Sequence, residues 1–179
     1  RAFFGPYTRS ICVIAFGIAA LSFALSNSRL IVYDALLPLF EWMETTPFGV
    51  INKTWGAVFA VVEAFHLLAM AVLGGAVIVA DGRLLGLVLN QTPLSQVQDQ
   101  AHRLFIVGLL LAIFTGVFMA CGVAVKIYYL EVFWYKMLAL LVGVIFVFGI
   151  RRPMLRAGQE FLTPGLRRLL GVSSLMIWF

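Results

Sequence analysis

The chain has 179 residues, of which 63% are hydrophobic and only 12% are charged. Soluble domains are about 45–50% apolar and about 25% charged, so the composition excludes an ordinary soluble domain and indicates an integral membrane protein. The net charge of +5 would suit a nucleic-acid partner, unless the basic residues follow a membrane topology instead.

Five apolar segments follow one another along the chain. A helix needs about 20 residues, within a range of about 17–25, to cross a bilayer. The first four segments meet this requirement, and the fifth is expected to be cut short at Phe179. The segments are residues 10–26, 54–80, 104–125, 133–150 and 169–179. We predict an all-α fold: residues 1–179 form a single transmembrane helical bundle with at least four membrane-spanning helices.

Residues 31–45, between the first two spans, alternate apolar and acidic positions at roughly helical spacing. This pattern predicts an amphipathic helix on the outer membrane interface, with Tyr33 and Trp42 at headgroup level. Pro38 is expected to kink the helix and Pro47 to end it. The helix would either anchor the chain or cover a site formed by the spanning helices.

The basic residues are distributed unequally between the two sides of the predicted bundle. Alternating spans place Arg1, Arg9, Arg83, Arg103, Arg151, Arg152, Arg156, Arg167 and Arg168 on one side, and Arg29, Lys53, Lys126 and Lys136 on the other. This positive-inside bias predicts a cytoplasmic N-terminus and cytoplasmic loops at residues 81–103 and 151–168. The basic charge then reflects orientation and contact with anionic lipid, and no nucleic-acid partner is expected.

The second span carries two ionisable residues, Glu63 and His66, on one helical face, and Met70 extends that face by one turn. Ionisable residues inside a membrane are costly and mark function by default. Three interpretations of His66 remain open. It is a structural residue bonded to a neighbouring helix, an axial ligand of a b-type haem, or part of a proton relay or transport path with Glu63.

Haem ligation limits which residue can pair with His66. Antiparallel packing places His66 level with residues 117–119 and about 22 Å from His102, so the two histidines cannot bridge one haem. Met119 lies near the level of His66, and haem iron held by His and Met is known chemistry. We therefore predict His66 and Met119 as the candidate ligand pair, although Met119 is equally typical of an ordinary gap-filling residue.

The third span has small residues at a constant spacing of four, namely Gly108, Ala112, Gly116, Ala120 and Ala124. Such a stripe lets two helix backbones approach closely in lipid. It is expected to pack against another helix of the chain or against a flat cofactor.

Lys136, at the outer start of the fourth span, would reach inward toward Glu63 or snorkel outward to headgroups. With Lys53 and Trp55 it would alternatively hold haem propionates or a quinone headgroup.

At the cytoplasmic side, Asp81 is expected to pair with Arg83 or Arg103 at the helix ends. His102 is expected to be a surface or interfacial residue.

Several fragments, in this order, carry a family resemblance: FEWMETTPFG at 40–49, VEAFHLL at 62–68, GG at 74–75, DGRLLG at 81–86 and FWYK at 133–136. Together they resemble a family of hypothetical bacterial inner-membrane proteins of unknown function. Gly82 stands where we expect leucine in the family motif. The resemblance implies a small helical membrane protein with Glu63, His66, Arg83 and Lys136 at motif positions, and it implies no activity.

We expect a b-type haem-binding electron-transfer protein, or a membrane anchor or quinone-linked subunit of a bacterial respiratory complex. The residues expected around the cofactor are His66, Met119, Glu63, Lys136, Trp55 and Gly116. The alternative is a cofactor-free accessory subunit in which Glu63, His66 and Lys136 form a structural polar network. Either function implies the lipid bilayer and other membrane subunits as partners. No phosphate-binding loop, nucleophile elbow or zinc-binding helix motif indicates an enzyme.

Overall fold

A computed structural model describes residues 28–156 and 163–179, together with positions 11, 14, 15, 17, 18 and 22. The helices are α1 Ser28–Thr45, α2 Pro47–Thr54, α3 Gly56–Leu85, α4 Leu94–Gly122, α5 Ala124–Tyr128, α6 Glu131–Ile145, α7 Arg152–Arg156 and α8 Pro164–Trp178. A π-helical turn, Phe146–Arg151, joins α6 to α7 without a break. The described ranges contain no strand, as the all-α prediction requires. The predicted first span, residues 10–26, lies outside the continuously described residues.

Three helices are long and apolar enough to cross a membrane: Gly56–Leu85, Leu94–Gly122 and the continuous run Glu131–Arg156. They correspond to the second, third and fourth predicted spans, and each is longer than its predicted apolar segment, although α3 begins after residue 54 and α4 ends before residue 125. Polar residues at the ends continue the helical backbone, whereas an apolar run identifies only the part suited to lipid. The predicted fifth segment belongs to α8, which begins at Pro164.

α3 and α4 form an antiparallel pair that is packed most closely at glycine. A side-chain carbon added to Gly108 would lie 3.0 Å from the backbone nitrogen of Leu73 and 3.1 Å from the carbonyl oxygen of Ala69. At Gly116 the same carbon would lie 3.2 Å from the imidazole of His66. At these two positions the small-residue stripe therefore packs against α3, which is the first of the two predicted alternatives.

α8 packs beside α3 and α6 at the end of the bundle where α3 ends and α4 begins, which we call the Arg-rich end. Gly171 of α8 lies against Leu85, and Trp178 lies against Gly143 of α6. The main core lies between these helices. It includes Leu73, Val77, Leu84, Leu94, Phe105, Leu109, Phe146, Val147 and Leu170.

The opposite end of the bundle is covered by α1, α2 and α5. The Tyr33 and Tyr128 rings stack with centroids 4.3 Å apart. Each of these tyrosines donates its hydroxyl to the other's carbonyl oxygen, at 2.9 and 2.6 Å. Asn52 donates to the carbonyl oxygen of Phe118 at 2.5 Å, which attaches α2 to α4.

The predicted helix at residues 31–45 is present as α1, but the segment after it differs from the prediction. α1 ends at Thr45, and Pro47 then begins α2, which was not predicted. Thr46 caps α2 by accepting a hydrogen bond from the backbone nitrogen of Gly49 at 3.3 Å. Proline suits the first turn of a helix because its missing N–H would have no intrahelical partner there.

Glu44 holds the three covering helices together. One of its oxygens accepts the backbone N–H of Val125 at 2.8 Å, and the other pairs with Lys53. The hydrogen bond from Lys53 is the main reason why the pKa of Glu44 lies below its ordinary value; the Val125 N–H lowers it further, against partial burial. Glu44 therefore acts as a carboxylate that joins α1, α2 and the start of α5.

Candidate functional site

His66 points from α3 toward α4, where its Nδ1 lies 2.8 Å from the hydroxyl oxygen of Thr115. The Thr115 hydroxyl also lies 2.7 Å from the carbonyl oxygen of Leu111, to which it donates its single proton. Because this proton is used on Leu111, we assign Thr115 as the acceptor from His66 and place the imidazole proton on Nδ1. This tautomer leaves Nε2 of His66 with a free lone pair.

The remaining predicted site residues on α3 and α6 are more exposed than His66. Glu63 and Lys136 are exposed, and both interact electrostatically with the half-buried His66. Trp55 is 66% exposed at the start of α3. Lys53 pairs with Glu44 of α1, and its side chain is 47% exposed.

The described contacts bring Thr115 and Gly116 of α4 against the His66 ring. Met119 is half-buried and lies about 4.5 Å further along the α4 axis than Gly116. His102 lies about 20 Å along the same axis in the other direction, at the Arg-rich end. Among the described residues, no group of three or more His, Cys, Asp or Glu side chains is arranged to hold a metal ion.

A second polar cluster lies at the Arg-rich end, and its centre is a buried ion pair. Asp81 of α3 lies 2.7 Å from Arg151 of the π-helical turn, with side-chain exposures of 0% and 8%. Arg151 also donates to the side-chain oxygen of Gln98 at 3.1 Å. Gln98 in turn donates to the carbonyl oxygen of Ala80 at 2.7 Å. The cluster thus connects α3, α4 and the π-helical turn.

This pairing corrects the predicted partners of Asp81. Arg83, one of them, instead donates to the carbonyl oxygen of Thr92, at 2.9 and 3.2 Å, in the loop between α3 and α4. Arg103, the other, is exposed. Asp81 faces the core because it lies one turn before the helix end, where α8 and the π-helical turn cover it.

Beside this ion pair lies a cavity of about 370 Å³, which we call the basic pocket. One wall is a face of α4 and the other is formed by the π-helical turn and α7. The lining residues are Leu94, Ser95, Gln98, Asp99, His102, Val147, Arg151, Arg152, Leu155 and Arg156.

The prediction placed His102 at the surface or interface but did not identify the pocket that it lines. Its ring stands edge-on to Phe148, with centroids 5.5 Å apart. The sequence signal for the pocket was the group Arg151, Arg152 and Arg156, which follows an apolar span. The positive-inside rule accounts for these arginines by their side of the membrane, so they did not by themselves indicate a pocket. A π-helical turn has no sequence periodicity of its own, although such turns are frequent at functional sites.

Three helices long and apolar enough to span a bilayer place this chain among helical membrane proteins. Residues 39–179 match a family of unknown function, DUF6644, and the chain belongs to that family. The expected membership of an uncharacterised family is confirmed at this level. No curated protein and no solved structure matches the chain.

Proposed function

We propose that the chain is a membrane subunit that binds a b-type haem through Nε2 of His66 and takes part in electron transfer. The observation that carries the proposal is the hydrogen bond between His66 and Thr115, from which we assign the imidazole proton to Nδ1. Histidines that bind metals almost always donate their other ring N–H in this way, because the bond fixes the tautomer and the ring orientation. When bound, the haem would supply one-electron redox chemistry.

The packing of His66 limits where the haem would lie. The ring contacts Gly116, so the space between α3 and α4 is filled at this level. A haem would therefore be held from Nε2 of His66, and Glu63 and Lys136 are the charged residues that act electrostatically on this histidine. Met119 stays a predicted second ligand, and a quinone near Trp55 and Lys136 stays a prediction of the sequence.

A reduced-minus-oxidised absorption spectrum of protein purified from haem-supplied cells tests the proposal. We expect Soret and α bands in the wild type and in His102→Ala, the matched control at the other histidine. His66→Ala should lose the bands. Thr115→Val should keep haem but bind it about ten- to a hundredfold less tightly, since outer-shell partners contribute to this extent.

Two results would contradict this proposal in different ways. A colourless wild type excludes haem binding. Bands that persist in His66→Ala show that haem is present with a different ligand.

A colourless protein would favour the second candidate, a cofactor-free accessory subunit of a larger membrane complex. The specific observation for it is Glu63, an exposed carboxylate within the apolar part of α3. A lipid-facing carboxylate is costly, so a neighbouring subunit that contacts this face would relieve the cost. Co-purification of a discrete partner by the wild type, weakened in Glu63→Leu, would support this function.

We further propose that the Arg-rich end faces the cytoplasm of a bacterial inner membrane and that α1 lies on the outer interface. The distribution of arginines supports this orientation. Labelling with a membrane-impermeant maleimide in intact cells should modify Trp42→Cys and spare Arg168→Cys. The reverse pattern would invert the topology.

A further inference from the structure

The basic pocket has the features of a built binding site as well as an excess of positive charge. Its volume of about 370 Å³ falls within the range of about 300–1,000 Å³ found for small-molecule sites. Arg151 in its wall is 7% exposed, and its Nε is buried without a hydrogen-bond partner among the described residues. A buried, unpartnered donor of this kind is rare and calls for an acceptor.

The charges around the pocket leave one positive charge uncompensated. Arg151 is paired with Asp81 behind the wall. Arg152 interacts electrostatically with both Asp99 and Arg156. The three arginines at the pocket are therefore balanced by only two aspartates, Asp81 and Asp99. His102 in the pocket wall could add a hydrogen-bond donor. A ligand with a single negative charge would balance the site, whereas a dianion would exceed it.

The position and the walls of the pocket favour a lipid over a soluble anion. The helical run Glu131–Arg156 has 26 residues, or about 39 Å at 1.5 Å per residue, which exceeds the roughly 30 Å thickness of the hydrocarbon core. Its arginine-bearing end is therefore expected at headgroup level. Leu94, Val147 and Leu155 give the same pocket an apolar side that would suit the glycerol and upper acyl region of a lipid.

We propose that the basic pocket binds the phosphodiester headgroup of an anionic phospholipid, with Arg152 and Arg156 as the principal donors and Arg151 as the inner wall. Basic pockets between membrane helices recognise anionic headgroups in this way, and guanidinium groups match phosphate oxygens in geometry and charge. The site does not involve His66, so it is independent of haem binding.

Native mass spectrometry of the detergent-purified chain titrated with phosphatidylglycerol tests the proposal. We expect one tightly bound lipid per chain, and weaker binding of phosphatidylcholine, which has the same phosphodiester but no net charge. Arg156→Gln should weaken phosphatidylglycerol binding about ten- to a hundredfold, as expected for the loss of a hydrogen bond between charged groups. Arg103→Gln is the matched control, because Arg103 is exposed at the same end of the bundle and does not line the pocket.

The controls separate the possible occupants. Equal weakening by Arg156→Gln and Arg103→Gln, or no weakening by either, would overturn the proposal in favour of a non-specific lipid belt. Inorganic phosphate that competes at equal concentration would retain the anion site but overturn its assignment to lipid. Arg156→Lys keeps the charge and the fold; if it binds no better than Arg156→Gln while remaining folded, the paired guanidinium donors are required, which supports the proposed recognition.

Discussion

The buried pair of Asp81 and Arg151 allows a quantitative test of how the Arg-rich end is held together. Asp81→Asn leaves the Arg151 charge buried without a counter-ion, and Arg151→Met leaves the Asp81 carboxyl buried without its cation. The double variant removes both charges. Because the two side chains are almost fully buried, the effects of the single substitutions should depend strongly on each other.

The expected change in the free energy of unfolding follows from the 2.7 Å separation of the Asp81 and Arg151 side chains. At this distance and an effective dielectric constant of about 20, the gross attraction is about 6 kcal/mol. Desolvation of the two ions takes away several kcal/mol for each, so the net contribution of the pair is small. Removal of one partner should instead cost about 3–5 kcal/mol, because the other charge stays buried.

The wild type, the two single variants and the double variant form a double-mutant cycle. The free energy of unfolding of each is measured by tryptophan fluorescence in mixed micelles of detergent and dodecyl sulfate. We expect each single variant to lose about 3–5 kcal/mol and the double variant to lose less than either. Arg103→Gln, the exposed control, should change stability by less than about 0.5 kcal/mol. Additive losses in the double variant would refute the pairing described here.

Two further predictions concern the helix contacts. Gly108→Ala should destabilise the protein by about 1–3 kcal/mol, since the new methyl group meets α3 backbone atoms. The control Gly75→Ala, with open space around it, should be neutral or stabilising by up to about 1 kcal/mol. Equal shifts of the melting temperature in the two variants would contradict the close packing at Gly108. Because the pKa of Glu44 is lowered in the folded chain, its stabilising contribution should be complete above about pH 4.5 and lost as the pH falls through the folded value. Glu44→Gln should cost about 1 kcal/mol at pH 7. It should also remove this acid-dependent loss of stability from melting curves recorded between pH 7 and 3. If the melting temperature of the variant falls with pH as steeply as that of the wild type, the Lys53 and Val125 contacts are contradicted.

The helices themselves were predictable because composition and apolar run length reflect the lipid environment directly. Residues 54–80 and 104–125 overlap most of α3 and α4, and the contact of His66 with Gly116 agrees with the expectation that the small-residue stripe of the third span packs against another helix. The predicted level, residues 117–119, differs from the observed contact at 115–116 by less than one helical turn.

The partners of Asp81 and the basic pocket were not predictable in the same way. A charge count assigns an arginine to one side of the membrane, but it does not determine which way the side chain turns. The π-helical turn carries Arg151, which contacts Asp81, and such a turn has no sequence period from which it could be predicted. Short helices such as α2 and α5 were missed for a related reason, since they are too short to show a helical period.

The small net stability expected from the ion pair suggests that its role is positional. Replacement of a buried ion pair by apolar residues is often neutral or stabilising, so stability alone does not account for Asp81 and Arg151. The pair fixes the guanidinium in the pocket wall, and the same terminal nitrogen that contacts Asp81 also donates to Gln98. The double variant Asp81→Asn with Arg151→Met should therefore regain much of the stability lost by the single variants but not the binding of phosphatidylglycerol. Recovery of both stability and lipid binding would show that Arg151 is not part of the headgroup site and that Arg152 and Arg156 suffice.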